Sequence, residues 1–219
     1  MQVDEVGALL TSYCDEDDTT FLTSGNVQTY LEIAYRRFRA VVQRHDPYFY
    51  ATRVNISVAN ADSYDLGTGA VILLGSGVLT GARLVHLVGV ERVDASGNWA
   101  YDYKPAADFD ELRLLDNGYL LRGSVLHFSL RQTATVRLVY VPAPAVDWSK
   151  LSSSDTEFID DLEPYHDLIA LYAYAHYAIR DGAGNPQVDA LLARREAELI
   201  RYLGHGRSPG AADHIAWRS

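Results

Sequence analysis

The stretch Asp155 to Leu203 constrains the fold more than any other, because it carries two helical periodicities separated by one break. Pro164 suits the first turn of a helix, where its missing N–H costs nothing. Leu162, Tyr165, Leu168, Ile169, Tyr172, His176 and Ile179 then recur at helical spacing. Ala170, Ala173, Ala175 and Ala178 keep much of the remaining surface small. A helix that is apolar or small nearly all round is predicted to be buried on more than one side, with His176 as a hydrogen-bonded core residue. Asp181-Gly182-Ala183-Gly184 breaks it. Asn185-Pro186 reads as an N-cap followed by proline at the first helical position. In the second helix Val188, Leu191, Leu192, Leu199, Tyr202 and Leu203 form one apolar stripe, and Arg194, Glu196, Glu198 and Arg201 form a wet face. Such a hairpin cannot bury both stripes alone and needs further helices.

The N-terminus supplies them. Val3, Val6, Leu9, Leu10 and Tyr13 make a short amphipathic helix. Asp15-Glu16-Asp17-Asp18 lacks the glycine and ligand spacing of a calcium loop and reads as a solvated, helix-capping loop. Ser24 is the expected N-cap of a second helix with Val27, Tyr30, Leu31, Ala34, Phe38, Val41 and Val42 on its apolar side. Arg36, Arg37, Arg39 and Arg44 make that helix basic, a face for solvent, an acidic partner or phosphate. Asp46-Pro47 ends it.

From Tyr48 to Val141 the pattern changes to short apolar runs between turn residues. Val54, Ile56 and Val58 alternate with polar neighbours, and Ala82 to Val93 is a longer β-branched run. Asp94 to Asn98 turns it into Trp99–Tyr103. Asp116-Asn117-Gly118 is expected to join Leu112–Leu115 and Tyr119–Leu121 as a hairpin. Leu126, Phe128 and Leu130, then Val136, Leu138 and Tyr140, give two more alternating strands. Several strands at this spacing predict a mostly antiparallel sheet, small sandwich or open barrel. The expected fold class is therefore α+β. Helices of 1–47 and 155–204 form a small bundle, 48–154 is an inserted β domain with its linker, and 205–219 is a flexible tail.

Charge limits the function classes. The 219 residues carry a net charge of −10, which argues against gripping nucleic acid through its phosphates. No apolar run approaches the ~20 residues of a membrane span. The N-terminus lacks the basic start of a secretory signal, and the single Cys14 excludes an internal disulfide framework. The seven histidines show no metal-ligand spacing, and Gly-x-Ser-x-Gly is absent. Gly67-Thr68-Gly69 and Gly75-Ser76-Gly77 precede no predicted helix and read as turns. Asp160, Asp161, Glu163 and Asp167 gather at a helix start, where carboxylates favour the helix dipole; a nuclease-like metal cluster is the sharper alternative. Trp99, Tyr101 and Tyr103 are either core or contact residues, or a stacking platform for a ligand such as carbohydrate. No catalytic residue, metal or cofactor is expected.

The order and texture of the whole chain resemble a head-to-tail adaptor (connector, head-completion protein) of a tailed bacteriophage or gene-transfer agent. The resemblance rests on the N-terminal helical pair, the β segments Tyr119–Phe128 and Thr135–Pro142, the run Phe158–His166, the Ala/Tyr-rich helix and the Arg/Glu-rich last helix. It implies a ring, commonly of twelve copies, docked beneath a portal protein at the head–tail interface of a virion assembled in the host cytoplasm. Such a ring continues the DNA channel and offers a platform to a downstream stopper or tail component. It implies too that the tail reaches the portal or a neighbouring copy, which here would use Arg207, His214, Trp217 and Arg218. Acids at Asp15, Glu16, Asp17, Asp18, Asp160, Asp161 and Glu163 would line the channel or an interface, so that DNA passes without sticking. No membrane partner is implied.

Overall fold

A computed structural model describes residues 1–14, 23–66, 84–151, 157–181 and 185–205. It is α+β, with a mostly antiparallel sheet inserted between N- and C-terminal helices. The chain divides into two compact units, Met1–Asp46 with Pro144–Ser219, and Pro47–Ala143.

The first unit is helical. It contains α1 (Val3–Cys14), α2 (Ser24–His45), α4 (Asp167–Asp181) and α5 (Pro186–His205), with short 3-10 turns at Trp148–Lys150 and Glu163–Tyr165. Helix α4 packs against both α1 and α2, which touch each other little. Its residues Leu168 to Tyr174 are all at most 4% exposed, so it is enclosed on every side there, as its small residues predict. The pattern fails further on: His176 is half-buried and Ile179 is 81% exposed. Trp148, in the segment read as a linker, is buried edge-on against Tyr35 at 5.6 Å.

Local details differ from the sequence reading in ways that have causes. The N-cap of α2 is Thr23 rather than Ser24, its Oγ1 accepting from the Asn26 N–H. Pro164 lies in the 3-10 turn before α4 rather than in the helix itself. Asn185 does cap the next helix, its Oδ1 accepting from the Gln187 N–H at 3.0 Å. Helix α5 runs through His205, two residues beyond the last apolar position.

The second unit is a sheet ordered β3-β2-β6-β5-β4, with β1 paired along the other side of β6. Its strands are β1 (Thr52–Asp65), β2 (Leu84–Val93), β3 (Trp99–Asp102), β4 (Lys104–Pro105), β5 (Gly118–Arg122) and β6 (Val125–Pro142). The two alternating runs predicted at 126–130 and 136–140 are one 18-residue strand, β6. One edge of β6 takes β5 and then β2, and the other takes β1 throughout. Strand β1 follows this length by a bulge at Ala59–Ser63, where Asn60 adopts φ 51° and the Tyr64 hydroxyl accepts from the Ala59 and Ala61 N–H groups. Ile56, Val58, Val90, Leu126, Phe128, Val136, Leu138 and Tyr140 alternate onto one buried face.

The run Leu112–Leu115, expected as a strand, falls instead on α3 (Phe109–Leu114) and its C-cap Leu115. Asp108 caps the Asp110 and Glu111 N–H groups, and Glu111 reaches back to the Ala107 N–H, so a local cap overrides an apolar run. The Asn117-Gly118 turn therefore joins a helix to β5. A Cβ on Gly118 would meet the Leu115 Cβ at 2.8 Å, so glycine is what lets the turn close over α3.

Candidate functional site

Three ionic ties organise the helical unit. The first sits just before α4. The Asp160 carboxylate accepts from the Leu162 N–H at 2.9 Å and the Tyr35 hydroxyl at 3.2 Å, and His166 Nε2 lies 2.6 Å from it. A carboxylate only accepts, so the proton resides on Nε2. His166 is fully buried, with Phe38 edge-on at 6.2 Å, and its Nδ1 has no hydrogen-bond partner among the described residues. Burial first, and then the negative charge of Asp160, push the Tyr35 hydroxyl well above its ordinary range.

The second tie is Arg195 of α5. Its guanidinium holds Asp167 through Nε at 2.6 Å and Nη2 at 2.8 Å, Glu198 at 2.6 Å and the Pro164 carbonyl at 2.6 Å. The bidentate bond to Asp167 raises the arginine's affinity for its proton. Hydrogen bonds from Arg195 and Arg194 hold the Glu198 carboxyl below its usual range. The third tie joins α4 to α5, where the Tyr172 hydroxyl donates to Glu196 at 2.8 Å beneath the Arg37 guanidinium, 4.4 Å from the ring. Burial and the bond to Glu196 push the Tyr172 hydroxyl up. Glu196 is thus partly buried rather than on the wet face.

These ties sort the acids expected on a surface. Asp160 is turned inward, its side chain 11% exposed. Asp161 is exposed. Glu163 is exposed too, and accepts from the Met1 ammonium at 2.7 Å, which lowers its carboxyl. Asp167 belongs to Arg195. Among the described residues no group of three or more His, Cys, Asp or Glu is arranged to hold a metal ion. Asp15, Glu16, Asp17, Asp18, Arg207, His214, Trp217 and Arg218 lie outside the described residues.

The surface signal that sequence reasoning undervalued is the charge sorting between units. The helical unit holds 20 of the 29 acids and 11 of the 19 basic residues, against 9 and 8 in the β unit. Nearly all of the net −10 therefore belongs to the helices. Against that background the outward side of α2 is basic: Ile33, Arg36, Arg37, Ala40 and Arg44 are exposed on one face.

Among the described residues of the β unit lie two shallow clefts. One, about 340 Å³, lies between α3 and β6, floored by Phe109 and His127 with their rings 4.9 Å apart, and rimmed by Arg113 and Arg131. The other, about 510 Å³, lies near Tyr101, Arg92 and Thr135. Of the three aromatics read as a possible platform, Tyr103 is buried, Tyr101 is half-buried against it, and Trp99 is 59% exposed. The Trp99 indole N–H donates to Asp102 at 2.8 Å. On the same sheet Arg137 bonds Asn55, Glu91 and the Gly97 carbonyl, locking three strands and a turn in register.

No helix among the described residues is long and apolar enough to cross a membrane. Compared with models of known families and with curated proteins, the chain matches none.

Proposed function

We propose that this chain is a structural head-to-tail adaptor of a tailed bacteriophage or gene-transfer agent. Copies form a ring, commonly of twelve, beneath the portal protein, at the head–tail interface of a virion assembled in the host cytoplasm. The ring continues the DNA channel and presents a platform to a stopper or tail component. The observation that carries this reading is the concentration of net negative charge on a helical unit built from both chain ends, with a near-neutral β unit inserted between them. Like charge along a channel keeps DNA mobile at contact range even with screening over ~8–10 Å. The internal ties of Asp160, Asp167 and Glu196 support a structural role for those carboxylates. In this reading the protein makes and breaks no bonds.

The test is attachment. Purified chain should bind isolated portal rings or tailless heads and appear as a collar by electron microscopy. Deleting residues 206–219 should weaken that attachment. Absence of the chain from purified particles would overturn the reading.

The exposed Trp99 favours a second reading, a β module that binds a ligand such as carbohydrate. Glycan-dependent quenching of Trp99 fluorescence, abolished by Trp99→Ala, would support it over the adaptor.

A further inference from the structure

We infer that the outward stripe of α2 is one half of a head-to-tail contact between copies of this chain, and that the outward face of α1 on the next copy is the other half. The inference rests on the ring reading for why copies meet, and names the surfaces they use.

The stripe runs Ile33, Arg36, Arg37, Ala40, Arg44, a spacing of i, i+3, i+4, i+7, i+11 that places all five on one side of the helix. It spans ~16 Å at ~1.5 Å per residue. It lies opposite the side formed by Val27, Leu31, Ala34, Phe38 and Val42, which is buried. Arg36 and Arg44 form no ion pair among the described residues, while on α5 Arg194 pairs with Glu198 and Arg195 with both Asp167 and Glu198. Arg36 and Arg44 thus present two guanidinium groups on the unit that holds most of the acids, while the Arg37 guanidinium lies over the Tyr172 ring.

The α1 face has the complementary character. Asp4, Glu5, Ala8, Thr11 and Ser12 are exposed at spacings that share one side. The Thr11 and Ser12 hydroxyls donate to the Gly7 and Leu9 carbonyls, so they require no outside partner. Two carboxylates and small side chains allow an arginine-bearing helix to approach closely. Both faces are exposed, and no ion pair joins Asp4 or Glu5 to Arg36 or Arg44 within one copy among the described residues. A contact between unlike faces of identical chains propagates into a ring or a filament.

Phosphate is the other ligand a guanidinium stripe can take. Ile33 and Ala40 interleaved with the arginines, and the acid excess of the unit, favour a protein surface instead.

Charge exchange tests the contact on the full chain. One variant carries Arg36→Glu and Arg44→Glu, the other Asp4→Arg and Glu5→Arg. Sedimentation at low salt should show wild-type self-association weakened about tenfold or more in each variant alone, as expected for removal and reversal of close charge pairs. An equimolar mixture should recover it, because each variant then offers the charge its partner lost. Circular dichroism should show both variants folded. Wild type that stays monomeric, or a mixture that does not recover, overturns the contact. Duplex DNA retained by wild type and released by Arg36→Glu with Arg44→Glu overturns it also, assigning the stripe to phosphate. If the variants associate like wild type and wild type still binds portal rings, the contact fails and the adaptor reading survives. If wild type neither associates nor binds portal rings, both fail.

Discussion

In the helical unit, ionic side chains tie together segments that also share an apolar core around α4. Arg195 joins α5 to Asp167 at the start of α4, and Asp160 joins the preceding turn to Tyr35 of α2. In the β unit the same task falls to backbone ladders and to an apolar face running from Ile56 to Tyr140. Arg137 pins that sheet by bonding Asn55 of β1, Glu91 of β2 and the Gly97 carbonyl, and Asp94 closes the same turn. The two units therefore answer to different perturbations. Titration and salt should act mainly on the helices; packing and backbone changes should act on either unit, but on one at a time.

The largest expected effects are core deletions. Phe38 is fully buried between Tyr35 and His166, and Phe38→Ala should destabilise the helical unit by about 3–5 kcal/mol. Leu138 is fully buried in the sheet, and Leu138→Ala should cost the β unit about 2–5 kcal/mol. Urea denaturation followed by tyrosine fluorescence and by far-ultraviolet circular dichroism should show each change moving a different transition. One shared transition moved by both would abolish the comparison and make the chain a single cooperative body.

Arg195→Ala comes next. It leaves Asp167 without its bidentate partner, for a loss of roughly 2–3 kcal/mol, less than a fully buried pair because both groups keep about a fifth of their surface. It should also flatten the acid limb of the stability curve. Glu198 is held below its usual value by Arg195 and Arg194, Glu163 by the N-terminal ammonium, and Asp147 by bonds from Ser149. A depressed carboxyl stabilises the fold above its unfolded pKa, and that stabilisation is lost as pH falls through the folded value. All three lie in the helical unit; in the β unit Asp94 is lowered likewise, by the bond from the Asn98 N–H first. Acidification from neutral pH to below the ordinary carboxylate range, near 4, should therefore melt the helices first. Equal acid sensitivity of the two units would remove the ionic half of the contrast.

How much of this was legible in the sequence follows from the same contrast. Periodicity is local, so α2, α4, α5 and the β2–β3 turn could be read directly: Leu31, Ala34 and Phe38 announce a face without knowledge of what covers it. Partners distant in sequence announce nothing. Asp160 and Tyr35 are 125 residues apart, and no spacing rule relates them. The acids at 160–167 therefore read as one cluster, although the fold turns Asp160 inward, pairs Asp167 with Arg195 and leaves Asp161 exposed. The strand misread at 112–115 has a different origin. There an apolar run and a capping sequence compete, and Asp108 with Glu111 prevails because it satisfies three N–H groups at once. In α5, the sequence places Glu196 among polar neighbours on the wet face, and only the arrival of Tyr172 makes it an acceptor.

The smallest effect gives the sharpest separation of the units. Gly97 ends the β2–β3 turn with φ 83°, and a Cβ there would meet nothing within 4 Å. The cost of Gly97→Ala is thus backbone strain alone, about 1 kcal/mol, with no packing contribution. The turn is otherwise fixed by Asp94, whose Oδ1 accepts from the Ser96 and Asn98 N–H groups, and by Arg137, which donates to the Gly97 carbonyl. Strain at Gly97 should therefore loosen the Arg137 bond and speed amide exchange along β3 and the end of β2, leaving α1, α2, α4 and α5 at wild-type protection. Hydrogen exchange by mass spectrometry reads both units in one experiment. Faster exchange confined to 90–102 would mean that the sheet yields locally while the helices hold. Faster exchange in the helices as well would mean that the two units, despite their different chemistry, open together.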